Sequence, residues 1–261
     1  AVLEESAIRE WGWRIPFLLS SVLVLLGLWI RKDIDETPDF QKVKASGQVA
    51  KAPLRDTLKH HWREVLIAAG LKVVETAPFY IFSTFVVSYA TSTLTYQKSQ
   101  ALEAVTLGAL VATIMIPLMG LLSDKVGRQR MYAISVFVLG LFIVPWFMLL
   151  NTGTTWGIVL ATVIAFGVLW APVTAVLGTL CSEIFSANVR YTGITLGYQL
   201  GAALAGGTAP LIATGLLAKY DGDWVPVAWY LAVTVTISLI AIFCASRVKR
   251  ATLIQAQPER L

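Results

Sequence analysis

The sequence predicts an all-α polytopic membrane protein with about seven transmembrane helices. Three observations predict this class: hydrophobic residues occupy 56% of the 261 positions, charged residues occupy only 14%, and the charges are gathered in short blocks between long apolar runs. Soluble domains carry about 25% charged residues on average. A soluble protein of this length buries one core under a charged surface, and this chain has too few charges to provide that surface.

Seven runs are long and apolar enough to cross a bilayer, whose hydrocarbon core requires about 20 mostly apolar residues in helical form. The runs cover residues 14–30, 65–90, 102–122, 131–150, 156–178, 192–217 and 226–246. The leader before the first run is acidic, whereas a signal peptide begins with a basic region, so we interpret this run as a span. Because the chain begins with Ala rather than Met, we expect its natural start to lie upstream.

The distribution of Lys and Arg predicts the orientation. Seven spans place the two termini on opposite sides, and sixteen basic residues then fall on one side against four on the other, with Lys72 inside a span. The sixteen are Arg31, Lys32, Lys42, Lys44, Lys51, Arg55, Lys59, Arg63, Lys125, Arg128, Arg130, Arg190, Arg247, Lys249, Arg250 and Arg260. Basic connections remain in the cytoplasm, so we expect residue 1 outside and the C-terminus inside. The pI of about 9.3 then reflects topology rather than nucleic-acid binding.

A long polar stretch at residues 31–64 divides the chain unevenly. It carries both charge signs, Pro38, Pro53 and few apolar residues, which indicates a cytosolic linker. We expect a short amphipathic helix around residues 54–64 to lie on the membrane. The predicted organisation is an external segment with one helix at 1–30, the linker at 31–64, a six-helix unit at 65–246 and a cytosolic tail at 247–261.

Two ionisable residues lie inside the second run. If this span starts near Val65, Lys72 and Glu75 lie about 10 and 15 Å into it, and their spacing of three places them on one helix face. A charge near the midplane costs several kcal/mol unless it faces a cavity, so it indicates function by default. In the functional hypothesis, Glu75 carries a proton or contacts a solute and Lys72 attracts an anionic group. The alternative is a structural ion pair in which Lys72 extends towards the cytoplasm.

Further polar-tipped residues within the spans can line the same cavity. They are Tyr80, Tyr89, Trp170, Tyr198 and Gln199. Prolines within the runs remove a backbone hydrogen bond and bend their helices, as a protein that opens and closes requires, although static bundles contain them too. These prolines are Pro78, Pro117, Pro145, Pro172 and Pro210.

One run carries small residues at every fourth position, which stacks them on one helix face and lets another backbone approach closely. They are Gly193, Gly197, Gly201 and Ala205. Plain helix packing and a moving interface are both consistent with this stripe.

The chain shows no pattern typical of soluble enzymes. Cys181 and Cys244 lie far apart in apolar surroundings, and we interpret them as small hydrophobic residues. His60 and His61 lie in the polar linker. We find no phosphate-binding loop, nucleophile elbow or metal-ligand cluster. We therefore expect no enzyme activity, no cofactor and no metal, and any work must draw on an ion or solute gradient.

The loop after the third run resembles a family signature. Residues 120–130, GLLSDKVGRQR, resemble the cytoplasmic motif G-x-L-(S/A)-D-(K/R)-x-G-R-(K/R) of the major facilitator superfamily, with Gln129 where a basic residue is usual. The glycine allows a tight turn, the basic residues keep the loop inside, and the aspartate can bind an arginine or a helix N-terminus. A loop that only sets topology is the alternative. The motif residues are Gly120, Asp124, Lys125, Gly127, Arg128 and Arg130.

Four further stretches resemble the metabolite:proton symporters of this superfamily. Residues 11–17 (WGWRIPF) resemble the entry to their sixth helix, and residues 75–80 (ETAPFY) are similar to their seventh helix. Residues 182–193 (SEIFSANVRYTG) resemble the segment after their tenth helix, and residues 206–213 (GGTAPLIA) resemble part of their eleventh. The resemblance implies that the seven spans are helices 6–12 of a twelve-helix major facilitator fold, whose helices 1–5 are missing from this chain.

The resemblance implies a secondary transporter in the cytoplasmic membrane. The family moves proline and betaine, α-ketoglutarate, citrate and shikimate-like acids, typically by proton symport, through a site between two six-helix halves. The implied partners are a small organic solute, either a carboxylate or a zwitterion, together with a proton, the lipid bilayer and the missing N-terminal half. The resemblance also implies two cytoplasmic pairs, Asp124 with Arg128 and Glu183 with Arg190.

Two other hypotheses remain open: a complete seven-helix membrane sensor, and a non-transporting remnant of a longer protein. A retinal-binding sensor is disfavoured because it requires a Lys in its last span, whereas the deep Lys here is Lys72 in the second. Five further spans and a second loop motif encoded upstream of Ala1 would favour the transporter, and a start codon near Ala1 would count against it.

Overall fold

The computed structural model describes residues 10–33, 41, 45 and 53–255, with side-chain burial defined up to residue 247. The chain divides into two compact units, one within residues 1–49 and one within residues 50–261. The predicted external leader before residue 10, most of the predicted linker and the end of the predicted tail lie outside the described residues.

The described residues contain seven helices that are long and apolar enough to cross a membrane, which confirms the predicted fold class. Each contains the corresponding predicted run and extends beyond it by at most a few residues. From first to seventh, the spans are Gly12–Lys32, Trp62–Ser92, Lys98–Val126, Arg128–Leu150, Thr155–Ser182, Arg190–Lys219 and Val225–Arg247.

The first unit contains the first span. A 3₁₀ turn, Gly12–Arg14, leads into α-helix Ile15–Asp33, whose last turn carries Arg31 and Lys32. Basic side chains are favourable at a helix C-terminus and mark the membrane boundary. The Leu and Val side chains of this helix are exposed, so it requires an apolar environment.

Four helices of the second unit are uninterrupted. They are Pro53–His60, Lys98–Val126, Arg128–Leu150 and Val225–Gln255. The first of these covers the start of the short helix predicted around residues 54–64, but it ends at His60, and residues 62–64 instead begin the second span. It exposes Leu54 and Leu58. Pro117 and Pro145 lie inside continuous helices of this group.

The second, fifth and sixth spans each change from α-helical to π-helical hydrogen bonding in their interiors. The second span consists of Trp62–Tyr80, the π-helix Ile81–Phe85 and Val86–Ser92. The fifth consists of Thr155–Thr162, the π-helix Val163–Leu169 and Trp170–Ser182. The sixth consists of Arg190–Gly201, the π-helix Ala202–Gly206 and Ala209–Lys219.

Each π-helix has a proline within a few residues. Pro78 precedes the first, and Pro172 and Pro210 follow the other two. A proline donates no backbone hydrogen bond, so the helix around it must change its pairing. Short π-helical segments occur frequently at functional sites.

The second span is the centre of the second unit. It packs against the fifth, sixth and seventh spans, and 61% of its apolar window is buried, the largest share among the seven spans. Its buried Phe82 meets Trp146 of the fourth span edge to face, with ring centroids 5.0 Å apart. The third span is only 11% buried, as expected for a lipid-facing helix. The fold therefore encloses the one span that carries Lys72 and Glu75.

Two glycines of the predicted stripe explain how the second and sixth spans approach each other. A Cβ atom at Gly197 would lie 2.5 Å from the Ala68 side chain, and one at Gly201 would lie 2.5 Å from the Ala69 carbonyl oxygen. Gly193 instead faces the ring of Phe185. Gly197 and Gly201 therefore allow the sixth span to pack closely against the second span.

Replacing Gly201 by Ala should destabilise the protein by about 1–3 kcal/mol, because the added methyl group meets backbone that cannot move without separating the spans. Gly215 lies in the same span with no atom within 4 Å of an added Cβ. Gly215→Ala should be neutral or stabilising, since Ala has the higher helix propensity. Thermal unfolding of the purified variants measures both effects, and equal unfolding temperatures would contradict the packing role of Gly201.

Candidate functional site

An ion pair lies near the middle of the second span. The Nζ atom of Lys72 lies 2.5 Å from Oε2 of Glu75, and the two side chains are only 18% and 13% exposed. At 1.5 Å per residue the two residues lie about 15 and 20 Å from Trp62, in a helix about 46 Å long. The spacing-based prediction that these residues share a face is confirmed.

The Glu75 carboxylate has further hydrogen-bond donors on two spans. The Thr76 hydroxyl lies 3.0 Å from Oε2, and the Thr174 hydroxyl of the fifth span lies 3.4 Å from Oε1. Hydrogen bonds to the charged form of a carboxyl group favour that form. The surroundings therefore supply part of the solvation that Glu75 loses on leaving water.

Lys72 lies against the sixth span. A Cβ at Gly201 would lie 2.7 Å from Cβ of Lys72, so the absence of a side chain there makes room for the lysine stem. Its ammonium group lies 4.8 Å from the centroid of the Tyr198 ring. A cation over an aromatic face is stabilised by the ring quadrupole, most strongly away from water. Tyr198 is therefore part of the site, as predicted from its depth.

Other titratable side chains lie near this pair on three spans. Tyr132 of the fourth span and Tyr198 of the sixth lie near Glu75, and Cys181 of the fifth lies near Lys72. The seventh span carries no charged residue before Arg247. Lys72 and Glu75 therefore neutralise each other's charge, and the described part of the seventh span adds no further charge next to them.

Side chains of two other spans hold the backbone that carries the pair. The Tyr132 hydroxyl donates to the carbonyl of Leu71 at 2.5 Å, and Nε1 of Trp170 donates to the carbonyl of Glu75 at 2.7 Å. Pro78 removes the donor that the Val74 carbonyl would have in a regular helix. These bonds fix the turn between residues 70 and 78 from outside.

An aromatic cluster borders the site on the side of the π-helices. The Trp170 ring lies 5.2 Å from Phe79 and 5.3 Å from Phe166. Tyr80 extends this cluster, with its ring 5.4 Å from that of Phe79, and is 37% exposed. Trp170 therefore contacts both the aromatic cluster and the backbone of Glu75, whereas Tyr80 lies at the exposed edge of the aromatic cluster.

Two predicted cavity residues lie elsewhere. Tyr89 is fully buried about 21 Å further along the second span, where it exchanges hydrogen bonds with Asn151 at the other end of the bundle. Gln199 is exposed on the sixth span. Neither residue contributes to the ion-pair site in this structure.

The cytoplasmic loop motif forms a second polar site. Gly127 alone separates the third span from the fourth, and its φ of 94° lies in the region that favours glycine, so the predicted tight turn is confirmed. Arg128 bridges two carboxylates, with Nη2 3.2 Å from Asp124 and Nη1 2.7 Å from Glu183. The Asp124–Arg128 contact was predicted, and the additional bond to the end of the fifth span was not.

The remaining motif residues surround this bridge. A cavity of about 410 Å³ opens beside the loop, lined by Asp124, Arg128, Arg130 and Glu183 among others. Lys125 and Arg130 are exposed, and the Gly120 carbonyl accepts a hydrogen bond from the Ser123 hydroxyl. Arg190 lies at the start of the sixth span, where Nε donates to the carbonyl of Phe185. The Glu183–Arg190 pair stays a prediction.

Sequence reasoning missed Thr174, Thr76 and Tyr132. Each is a hydroxyl-bearing residue inside an apolar run, and nothing in its sequence position shows which way it points. Among the described residues, no group of three or more His, Cys, Asp or Glu side chains could hold a metal ion.

The described residues form a multi-pass helical membrane protein with an ion pair inside one span and an arginine that bridges two carboxylates at the cytoplasmic loop. Comparison with known families shows to which family of membrane proteins the chain belongs. A family model described as Major Facilitator Superfamily matches residues 5–206 and, in a second placement, residues 79–260. The chain belongs to the major facilitator superfamily.

Curated relatives narrow the comparison. The chain is 31% identical over 244 residues to the shikimate transporter of Escherichia coli (strain K12), covering 93% of this chain and 56% of the relative. It is 30% identical over 247 residues to the alpha-ketoglutarate permease of the same organism, covering 91% and 54%. It is 29% identical over 248 residues to the proline/betaine transporter of Salmonella typhimurium (strain LT2), covering 92% and 49%. No solved structure matches the chain significantly.

The relatives confirm the resemblance to the metabolite:proton symporters, and because they are transporters they also confirm that the chain is not an enzyme. The chain spans about half the length of the curated relatives it matches.

Replacing Arg128 by Ala should speed amide hydrogen exchange in the loop between the third and fourth spans, because both bonds to the carboxylates are lost. The effect should be about 1 kcal/mol or less, since the pairs are partly exposed, and high salt should reproduce part of it in the unaltered protein. Arg130→Ala is the matched control, because Arg130 is exposed and makes neither bond. Equal exchange rates in the two variants would contradict the bridging role.

Proposed function

We propose that the protein containing this chain carries a small organic solute across the cytoplasmic membrane by proton symport with alternating access. The solute is a carboxylate or a zwitterion. The observation that carries this proposal is the Lys72–Glu75 pair, which is enclosed near the middle of the second span.

The pair has the chemistry that such a task requires. Charges at membrane depth are costly and mark substrate or ion pathways. A carboxylate at that depth can bind a proton arriving from one side and release it to the other, and a neighbouring ammonium group can bind a carboxylate solute. The solutes in the names of the three relatives all carry a carboxylate group.

Membership of the major facilitator superfamily supports movement about this site. In the superfamily, the solute site lies between two six-helix halves that rock against each other. We assign the seven spans to helices 6–12, residues 65–246 to the C-terminal half and residues 31–64 to the cytosolic linker, so the N-terminal half is a required partner. The family assignment favours this transporter over a seven-helix sensor.

The orientation proposed here has residue 1 outside and the C-terminus in the cytoplasm, because basic residues are concentrated in the connections on one side. It can be checked in a protein whose native Cys181 and Cys244 are both replaced by Ala. A membrane-impermeant maleimide should label Ser99→Cys in intact cells, and should label Ser186→Cys only after the membrane is permeabilised. Both positions are exposed. The reverse pattern would overturn the orientation.

In the full-length protein, Glu75→Gln should abolish proton-driven accumulation without affecting insertion, because the amide keeps the shape of the side chain but cannot take up the proton. Uptake of labelled shikimate, α-ketoglutarate, proline and betaine measures this, with the amount of protein in the membrane determined in parallel.

The matched control is Glu103→Gln, which makes the same chemical change at an exposed position of the third span and should leave uptake unchanged. Accumulation by Glu75→Gln at the level of the unaltered protein would remove Glu75 from the mechanism.

A further inference from the structure

Ser238 of the seventh span makes an unusual contact with the second span. Its side chain is fully buried, and its hydroxyl donates to the carbonyl of Gly70 at 2.6 Å while accepting from the backbone N–H of Val74 at 3.1 Å. Residues 70 and 74 are the two that a regular α-helix joins by one backbone hydrogen bond. The Ser238 hydroxyl therefore bridges one link of the helical ladder of another span.

The next link along the helix, between residues 74 and 78, lacks its donor. In a regular helix the Val74 carbonyl accepts from the N–H of residue 78, and that residue is proline, which has none. The 70–74 link encloses Lys72 and the 74–78 link encloses Glu75. An internal proline is an established cause of helix bending. Both members of the ion pair thus lie within these two links, in a segment that is α-helical from Trp62 to Tyr80.

Small residues allow the serine to reach this backbone. A Cβ atom at Gly70 would lie 2.8 Å from Cβ of Ala241, so the second and seventh spans are in direct contact there. This closeness excludes larger side chains from the contact and leaves the hydroxyl of Ser238 next to the backbone.

Ser238 differs from the other side chains that hold this turn. Tyr132 and Trp170 donate to the carbonyls of Leu71 and Glu75, each of which has a second lone pair for its helical partner. Ser238 engages both the carbonyl and the N–H of one link, so it alone among the three holds both partners of one helical bond.

We propose that Ser238 is a positioning residue whose hydroxyl, by bridging Gly70 and Val74, holds the turn that places Glu75 between Lys72 and Thr174. This inference rests on the proposed role of Glu75 in proton coupling. The Gly70 carbonyl and the Val74 N–H lie within α-helix Trp62–Tyr80, where each is the other's helical partner. Removing the Ser238 hydroxyl therefore leaves no polar group unsatisfied, and the turn loses its attachment to the seventh span without a large loss of stability.

The test uses dicyclohexylcarbodiimide, an apolar reagent that modifies protonated carboxyl groups. The full-length protein is treated with this reagent at a series of pH values, and mass spectrometry measures the fraction of Glu75 that is modified. In Ser238→Ala, the pH of half-maximal modification should move upward by about one unit, because a carboxylate displaced from Lys72 and Thr174 is protonated more readily. Glu75→Gln identifies the modified residue.

Thr234 supplies the matched control, since it lies one turn away on the same span, is also buried, and donates to its own helix at Leu231. Thr234→Val should leave the half-maximal pH unchanged. Unfolding temperatures of Ser238→Ala and Thr234→Val should both stay within about 3 °C of the unaltered protein.

An unchanged half-maximal pH in Ser238→Ala, or an equal shift in Thr234→Val, overturns the positioning role. If Ser238→Ala does not reach the membrane, Ser238→Cys, which keeps only a weak donor, is measured in its place and should shift in the same direction. Normal accumulation of solute by Glu75→Gln refutes the proposed function instead, and the carbodiimide profile still decides the role of Ser238.

Discussion

The removal of two opposite charges from water is the constraint on which the second unit depends. Inside a bilayer, the Lys72–Glu75 pair is tolerable only if the protein replaces the lost hydration. It does so with a threonine hydroxyl from the fifth span, an aromatic face from the sixth and a glycine that admits the lysine stem. These groups lie on the fifth and sixth spans, so the pair constrains how closely both spans approach the second.

The positions of the seven spans could be predicted from the sequence to within a few residues, and the reason is the bilayer. The π-helical segments and the central position of the second span could not, because both depend on contacts between spans. A span requires about 20 apolar residues and basic residues end it at the cytoplasmic surface, so length and composition fix each helix independently of tertiary contacts. The structure extends the predicted runs by a few residues, for example to Lys98 and Val126, because helices continue into the polar interface where hydropathy falls.

The charged residues of the two sites could be predicted from the sequence, whereas their uncharged hydrogen-bond partners could not. Lys72 and Glu75 were identified because their depth is costly, and Asp124 and Arg128 because they belong to a motif. Thr174 and Ser238 could not be identified, since a hydroxyl inside a span usually bonds to its own helix, as Thr234 does. Which hydroxyls turn outward is decided by packing between spans, and a single sequence does not contain that information.

The π-helical segments have a consequence for the way this chain is compared with its relatives. A π-helix holds one residue more than the α-helix around it, so each such segment rotates the following helical faces by about 100° relative to the preceding ones. In the sixth span, Gly197 and Gly201 face the second span at a spacing of four residues. The next glycine in contact with the second span is Gly206, five residues further on, because the π-helix Ala202–Gly206 lies between them. A relative that lacks the extra residue would need a one-residue gap within Ala202–Gly206 for equivalent side chains to align.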